Sequence, residues 1–401
     1  MTPISPQTAQ ELIAARLAVL PPEPLNLPQC VGRTLRQDVF AERDNPPFDR
    51  VCMDGIAIDS RSWLQGQRSY RIEAVLPAGA PGIALSSADH AVEVMTGAVL
   101  PEGTDCVIPL EEYDHAAGVI RLKDEAKAQS FRNVQRRGAD SQPGVPMLVA
   151  GTRLGAAEVA VVASAGLAQV LVSRQPRVMI VSTGDELIEP GQPILSHQVR
   201  RSNAHAVAAA LRDHGFRDVG DDHIPDKDDL LHERLSRHLA EREVLILSGG
   251  ISKGKFDLVP SALRGLGVEE VFHRVAQRPG LPMWFGMGPN GTAVFGLPGN
   301  PVATMMCLSR YVIPALTAAT GAAYPAPEPI CLGEAVERGR PMDSFVPVVL
   351  RTDSQGRRVA LPRWPNGSGD FLALAGTSGF IQLPPRAEAY PEGFLADLYR
   401  W

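Results

Sequence analysis

Apolar residues recur along the chain with two different periods, and the changes from one to the other divide it. Ser5 precedes Pro6 as a capping residue precedes a first-turn proline, and Leu12, Ile13, Leu17 and Leu20 then fall on one helical face, which Pro21 and Pro22 bring to an end. From about residue 44 to 142 the helical period disappears. Short alternating runs such as Val119-Ile120-Arg121-Leu122 stand among many Gly and Pro residues, which predicts a β-rich insertion. Ala156 to Val172 returns to helix, turn and strand, expected to pack back on the first helix. Residues 1–43 and 143–174 then form one discontinuous N-terminal domain around an inserted domain, 44–142.

A third pattern begins near residue 175. Val178-Met179-Ile180-Val181, Val244-Leu245-Ile246-Leu247 and Ala293-Val294-Phe295 are buried-strand runs. Between them, Asn203 can cap a helix carrying Val207 and Leu211 and ending at Gly215, and Leu231, Leu235 and Leu239 mark a helix over 228–240. Pro301 opens a long helix to about Thr320. Strands alternating with helices predict a parallel sheet in an α/β domain, 175–322. A proline-rich linker leads to a C-terminal β domain, 323–401, so the fold class is multidomain α/β plus β.

Composition narrows the class. At 401 residues the chain exceeds one core, since a domain takes roughly 100 to 200 residues. With 44% hydrophobic and 21% charged residues it is globular, and its net charge of -6 argues against a nucleic-acid surface. The N-terminus has no basic region followed by an apolar core, and Val159 to Val172 is too short for a membrane span. Five widely spaced cysteines without a Cys-x-x-Cys pair fit a reducing cytoplasm.

The chemistry gathers in loops. Ser248-Gly249-Gly250-Ile251-Ser252-Lys253-Gly254-Lys255 approaches a P-loop, but Phe256 stands where the Mg²⁺-ligating hydroxyl is needed. Ser182 to Glu186 and Gly296 to Pro301 follow two other strands. In a parallel sheet all three loops share the carboxyl edge, where glycines and helix N-termini suit a phosphate or another oxyanion. Asp185, Glu186, Asp226 and Asp257 read as carboxylates around a Mg²⁺ between them and a phosphate, while Asp226 and Asp257 read equally as helix caps. Arg274 and Arg278 offer two cations for an oxyanion, or a solvated strand end. The nine histidines are scattered, with no metal-binding spacing.

Together these features resemble the molybdopterin molybdenumtransferase family, which includes the E domain of gephyrin. The resemblance covers nearly the whole chain: Asn45 to Asp49 with Met53-Asp54-Gly55, Val94 to Ala98 with Leu100 to Asp105, Arg137 to Asp140, Ser182 to Leu187, the 248–257 loop, and Gly296 to Val302. It implies four domains and a homodimer whose cleft joins the α/β domain of one subunit to the inserted domain of the other. It implies an enzyme that cleaves adenylylated molybdopterin, releases AMP and leaves molybdenum from molybdate on the dithiolene, with Mg²⁺ assisting. The catalytic set it implies is Asp54, Asp140, Glu186, Asp226 and Asp257, with Asp226 and Asp257 on the metal. Thr96 would join the cleft; Ser248, Gly249, Gly250, Ser252, Pro298, Gly299 and Asn300 would hold pterin and phosphate; and Arg274, Arg278 and Ser368 would receive molybdate. A cytoplasmic location follows, with transient contact with other molybdenum cofactor biosynthesis proteins and with neither nucleic acid nor membrane as partner.

The chain departs from the family pattern in several places. Arg274 and Arg278 stand where Lys is common, Leu281 stands where Lys is frequent, Ala139 replaces an acid, and Arg50-Val51-Cys52 is atypical before Met53. Phe345-Val346-Pro347 lacks an arginine, for which Arg340 and Arg363 are candidate substitutes. A free thiol such as Cys52 is more often packing than catalysis. The other readings are a non-catalytic pterin-binding scaffold, a tungstate-handling variant and a nucleotidase.

Overall fold

The computed structural model describes residues 2–251, 258–324, 326–337, 340–367, 369–386 and 388–401. Helix α1, Pro6–Ala14, starts where expected, with the Ser5 hydroxyl accepting from the Thr8 N–H at 3.0 Å. It ends well before Leu20, whose N–H is taken by the Ala319 carbonyl at 2.7 Å. Ala9 and Ile13 of α1 lie in the core of the α/β domain. Helix α2, Ala156–Ser164, packs elsewhere. Val162 joins Leu35, Val39, Val170 and Val172 beside the antiparallel pair Pro22–Asn26 and Gln169–Ser173, so this segment closes on the first strand and not on the first helix.

Residues Gly55–Ile58, Ser69–Leu76, His90–Val94, Cys106–Pro109, Tyr113–Ala116 and Val119–Leu122 form a six-stranded sheet. Ile120 and Leu122 point inward from the last of these and Val119 and Arg121 outward, as the alternation in sequence requires. Gly55 leaves no room for a side chain, since a Cβ there would lie 2.0 Å from the Ile108 carbonyl oxygen.

The α/β sheet contains β1 (Val178–Thr183), β2 (Val219–Ile224), β3 (Val244–Ser248), β4 (Glu269–His273), β5 (Trp284–Met287) and β6 (Ala293–Leu297), in the order β2-β1-β3-β6-β5-β4. The first four of that order are parallel, β5 runs antiparallel to β6, and β4, antiparallel to β5, regains the direction of the first four. The sheet is therefore mixed. Only Gly288 to Thr292 join β5 to β6, too few residues for the dozen or so that a parallel crossover takes.

Helices α3 (Ser202–Asp213) and α4 (Asp228–Glu241) flank the sheet, with Leu231, Leu235 and Leu239 buried along α4. Helix α5, Pro301–Ala319, is the one helix among the described residues with the length and apolarity to cross a membrane; 83% of it is buried inside the protein, the position of a core helix. Its middle, Leu308–Val312, widens to a π-helix.

The C-terminal strands Asp343–Thr352, Arg358–Pro362, Glu328–Leu332, Leu395–Arg400 and Gly379–Leu383 close on one another as a barrel. Gln277–Arg278 from the α/β domain pairs in parallel with Asp343 and Ser344 of this barrel. Val302 and Met306 also pack against Phe345 and Phe380 across the same junction.

Candidate functional site

Because β1, β3 and β6 are parallel neighbours, Thr183, Ser248 and Leu297 end at one edge and release their loops together. Gly249 and Gly250 have φ of 98° and 65°, a region that favours glycine. A Cβ on Gly250 would lie 2.7 Å from both Thr183 Oγ1 and Val259 Cγ2. A Cβ on Gly299 would lie 3.6 Å from the Gly249 Cα, so the second and third loops lie close together. The Thr304 hydroxyl, buried in the first turn of α5, donates to the Pro298 carbonyl at 2.6 Å and to the Asn300 carbonyl at 3.0 Å. Asn300 precedes α5 without a capping hydrogen bond, and its side chain is exposed.

Asn203 does not cap α3. Arg201 holds that position, and Asn203 lies in the first turn, where its Nδ2 donates to Ser248 Oγ at 3.0 Å and to the Gly299 carbonyl at 2.8 Å. Arg201 itself is buried. It makes a two-pronged pair with Asp221, one bond at 2.7 Å, and a third bond to Glu189 at 2.9 Å. Ser182 Oγ, Thr183 Oγ1 and Asn203 Oδ1 are buried at this edge without partners. Nothing in the spacing of the sequence distinguishes Asn203 from a cap; only the position of the third loop does.

Asp226 follows β2 and is not a cap either, because Lys227 precedes α4 and no side chain caps that helix. Its N–H donates to Asp185 Oδ1 at 3.2 Å. Partial burial, then the negative charges of Asp185 and Glu186, push its carboxyl above the usual aspartate range. Glu186 is exposed beside it, with its carbonyl accepting from the Val199 N–H at 2.9 Å. Ser252, Asp257 and Ser368 lie outside the described residues, as do the Lys255 and Phe256 positions of the P-loop comparison. Among the described residues no group of three His, Cys, Asp or Glu side chains is arranged to hold a metal ion.

The inserted domain carries a second group. Asp54 Oδ1 accepts from the Thr96 N–H and hydroxyl, both at 2.7 Å, and these bonds hold its carboxyl below the usual range. Asp140 accepts from Gln135 Nε2 at 2.6 Å, and Gln135 also receives a bond from Arg50. Asp54, Thr96 and Asp140 are exposed. Among the described residues no hydrogen bond or ion pair joins 44–142 to 175–322.

Where Arg278 pairs with Ser344, a cavity of about 200 Å³ opens between the α/β domain and the barrel. Arg278, Arg340, Ser344, Phe345 and Trp364 line it, with no carboxylate among the described lining residues. Ser344 Oγ is buried without a partner. Arg340 and Trp364 also border a second cavity of about 490 Å³, with Glu334 and Glu337. Arg274 stands apart: its backbone has φ 80°, its N–H donates to the Met283 carbonyl at 2.8 Å, and it does not line the cavity. Arg363 is engaged elsewhere, its guanidinium reaching the Ala375 carbonyl at 3.3 Å. A further cavity of about 490 Å³, lined by Arg174, Arg177 and Arg242, sits by the start of β3 and β6, opposite the loops.

Three converging loops on an α/β sheet, a β-rich insertion with its own acids and a barrel that completes a basic cavity define a multidomain enzyme of the α/β plus β class. Family models match residues 4–166 as the MoeA N-terminal region, 179–318 as a probable molybdopterin binding domain and 330–401 as the MoeA C-terminal region. A molybdopterin molybdenumtransferase of Synechocystis is 35% identical over 399 residues, covering 99% of this chain and 100% of that protein. One from Bacillus subtilis is 30% identical, covering 92% of this chain and 87% of that protein. The crystal structure of the molybdopterin biosynthesis MoeA protein of Pyrococcus horikoshii superimposes with a TM-score of 0.81 at 26% identity, covering 100% of this chain and 99% of that one. The chain belongs to the molybdopterin molybdenumtransferase family, enzymes of molybdenum cofactor biosynthesis.

Proposed function

We propose that the protein takes adenylylated molybdopterin and molybdate, cleaves the phosphoanhydride, releases AMP and leaves molybdenum on the dithiolene sulfurs. The observation that carries this reading is the pairing of two anion-suited places: the glycine loops at the carboxyl edge and the Arg278–Arg340 cavity, with no carboxylate among its described lining residues. Gly249 and Gly250 bring backbone close to a phosphate where a side chain would collide, and Ser248 and the Pro298 to Asn300 turn border the same space. Arg278 and Arg340 supply guanidinium forks for a tetrahedral dianion, and Ser344 adds a hydroxyl with no other partner. Arg340 thus takes the role for which Arg363 was the other candidate. Placed donors of this kind stabilise charge without reorganising, which is the main source of catalysis at an anhydride.

Mg²⁺ is expected at Asp226 together with Asp257. Partial burial, then the negative charges of Asp185 and Glu186, push the Asp226 carboxyl up, and a divalent ion would relieve that repulsion. When bound, the ion would neutralise charge on the phosphate oxygens. Among the described residues no hydrogen bond or ion pair joins the domain of Asp54 and Asp140 to the α/β domain, which supports a cleft completed by the inserted domain of a second subunit.

The test is AMP release from adenylylated molybdopterin by the purified protein with Mg²⁺, with and without molybdate. Molybdate-dependent release is expected; tight pterin binding with no release in either condition identifies a scaffold instead. Replacing Arg340 by Met should raise the molybdate concentration for half-maximal release about 10- to 100-fold, the scale of one charge-assisted bond, whereas Arg363→Met should leave it unchanged.

A further inference from the structure

We propose that Asn203 is a positioning residue that sets the spacing of the two glycine loops and thereby the affinity for the adenylylated pterin. This rests on the reading of the carboxyl edge as the substrate site. Beyond the end of the β3–β6 ladder, no other described hydrogen bond joins residues 248–251 to 298–300. One Nδ2 group bridges them, donating to Ser248 Oγ at 3.0 Å and to the Gly299 carbonyl at 2.8 Å. The residue that carries the bridge is itself held firmly. Arg201, two positions earlier, anchors the start of α3 through its buried pairing with Asp221 and its bond to Glu189, and Ala204 on the other side is buried in the core.

The remaining atom of the amide points to more than a structural staple. Asn203 Oδ1 is buried and accepts no hydrogen bond. Buried acceptors are nearly always paired in folded proteins, so the unpaired Oδ1 leaves unused hydrogen-bonding capacity at the junction of the two loops. The amide therefore commits its donor side to the two loops and leaves its acceptor side unpaired between them. Asn203 was legible in the sequence only as a helix cap, and the resemblance assigned it nothing.

The experiment compares the parent, Asn203→Ala and Asn203→Asp by steady-state AMP release, by calorimetric binding of adenylylated molybdopterin without molybdate, and by thermal melting. Asn203→Asp keeps the shape and lets the Ser248 hydroxyl donate to it, reversing that bond, but turns a carboxylate oxygen towards the Gly299 carbonyl, so it serves where the alanine variant folds poorly. The expected result is a rise in KM and Kd of about tenfold with kcat changed less than about threefold, in both variants. In the Asn203→Ala/Ser248→Ala double variant the losses should be less than additive, because both substitutions remove the same bond. A lowered melting temperature with unchanged KM and Kd, or no change in any of the three measurements, overturns the inference while parent turnover leaves the enzymatic reading intact. A parent protein that releases no AMP with molybdate fails the enzymatic reading first, and the positioning role falls with it.

Discussion

At Asp226, partial burial and the neighbouring carboxylates of Asp185 and Glu186 all act in one direction, against the charged form. A group whose carboxyl is raised in the folded state binds protons more tightly there than in the unfolded chain, so it costs stability as pH rises through that raised value. Asp226→Asn should therefore keep or raise the melting temperature at pH 7. The same variant should lose roughly 100-fold or more of the Mg²⁺-dependent AMP release, since a bound divalent ion supplies several kcal/mol of charge stabilisation. A variant that melts lower and keeps its metal response would show that Asp226 acts in packing. Gly250 makes the opposite kind of demand, for empty space and not for charge. With φ at 65° and Thr183 and Val259 already 2.7 Å from a Cβ, Gly250→Ala should cost about 1 to 3 kcal/mol in urea unfolding.

Between elements, the contact that ties the N-terminal domain to the start of β3 is an ion pair. Arg174 meets Glu243 through two bonds, one at 2.8 Å, and the Arg177 N–H adds a bond to the same carboxylate at 3.0 Å. The bonds from Arg174 are the main cause that holds the Glu243 carboxyl below its ordinary 4.5. Its contribution to stability is complete above pH 4.5 and is lost as pH falls towards the lower folded value. Glu243→Gln should lower the melting temperature at pH 7, with the gap from the parent closing below pH 4.5; a gap independent of pH would assign the effect to packing. The π-helical stretch of α5 joins elements in another way. Arg310, buried there, bonds Gln10 of α1 at 2.5 Å and stacks on Tyr399 of the barrel, so one side chain touches three domains.

Across the whole molecule, the two acidic groups sit in different domains, and among the described residues no hydrogen bond or ion pair joins those domains. A cleft shared between subunits makes a distinctive forecast. Asp54→Asn and Asp226→Asn should each be inactive, yet after mixing with subunit exchange they should recover about a quarter of parental activity, because half the dimers are mixed and each has one intact cleft. No recovery, with exchange verified by mass, would place both groups in a cleft within a single chain. The barrel bears on the same question at the other end, since the Gln277–Arg278 pairing with Asp343 and Ser344 brings Arg278 and Arg340 to one cavity.

Much of this architecture was legible in local pattern. The apolar runs at 178, 244 and 293, the four-residue spacing along α4, the cap at Ser5 and the alternation at 119–122 report interactions made within a few residues, which a chain carries wherever it folds. Glycines that require positive φ announce themselves in the same way, as at 249 and 250. What local pattern could not carry were relations between distant segments. The reversed direction of β5, the partner of α2, the capture of Leu20 by the end of α5, the two bonds of Asn203 and the placing of Arg340 but not Arg363 at the cavity each depend on which surface another segment presents. Local hydrogen bonds and periodic burial are properties of a stretch of sequence, whereas the contacts that build the site exist only once loops some 50 to 100 residues apart have been brought to one sheet edge.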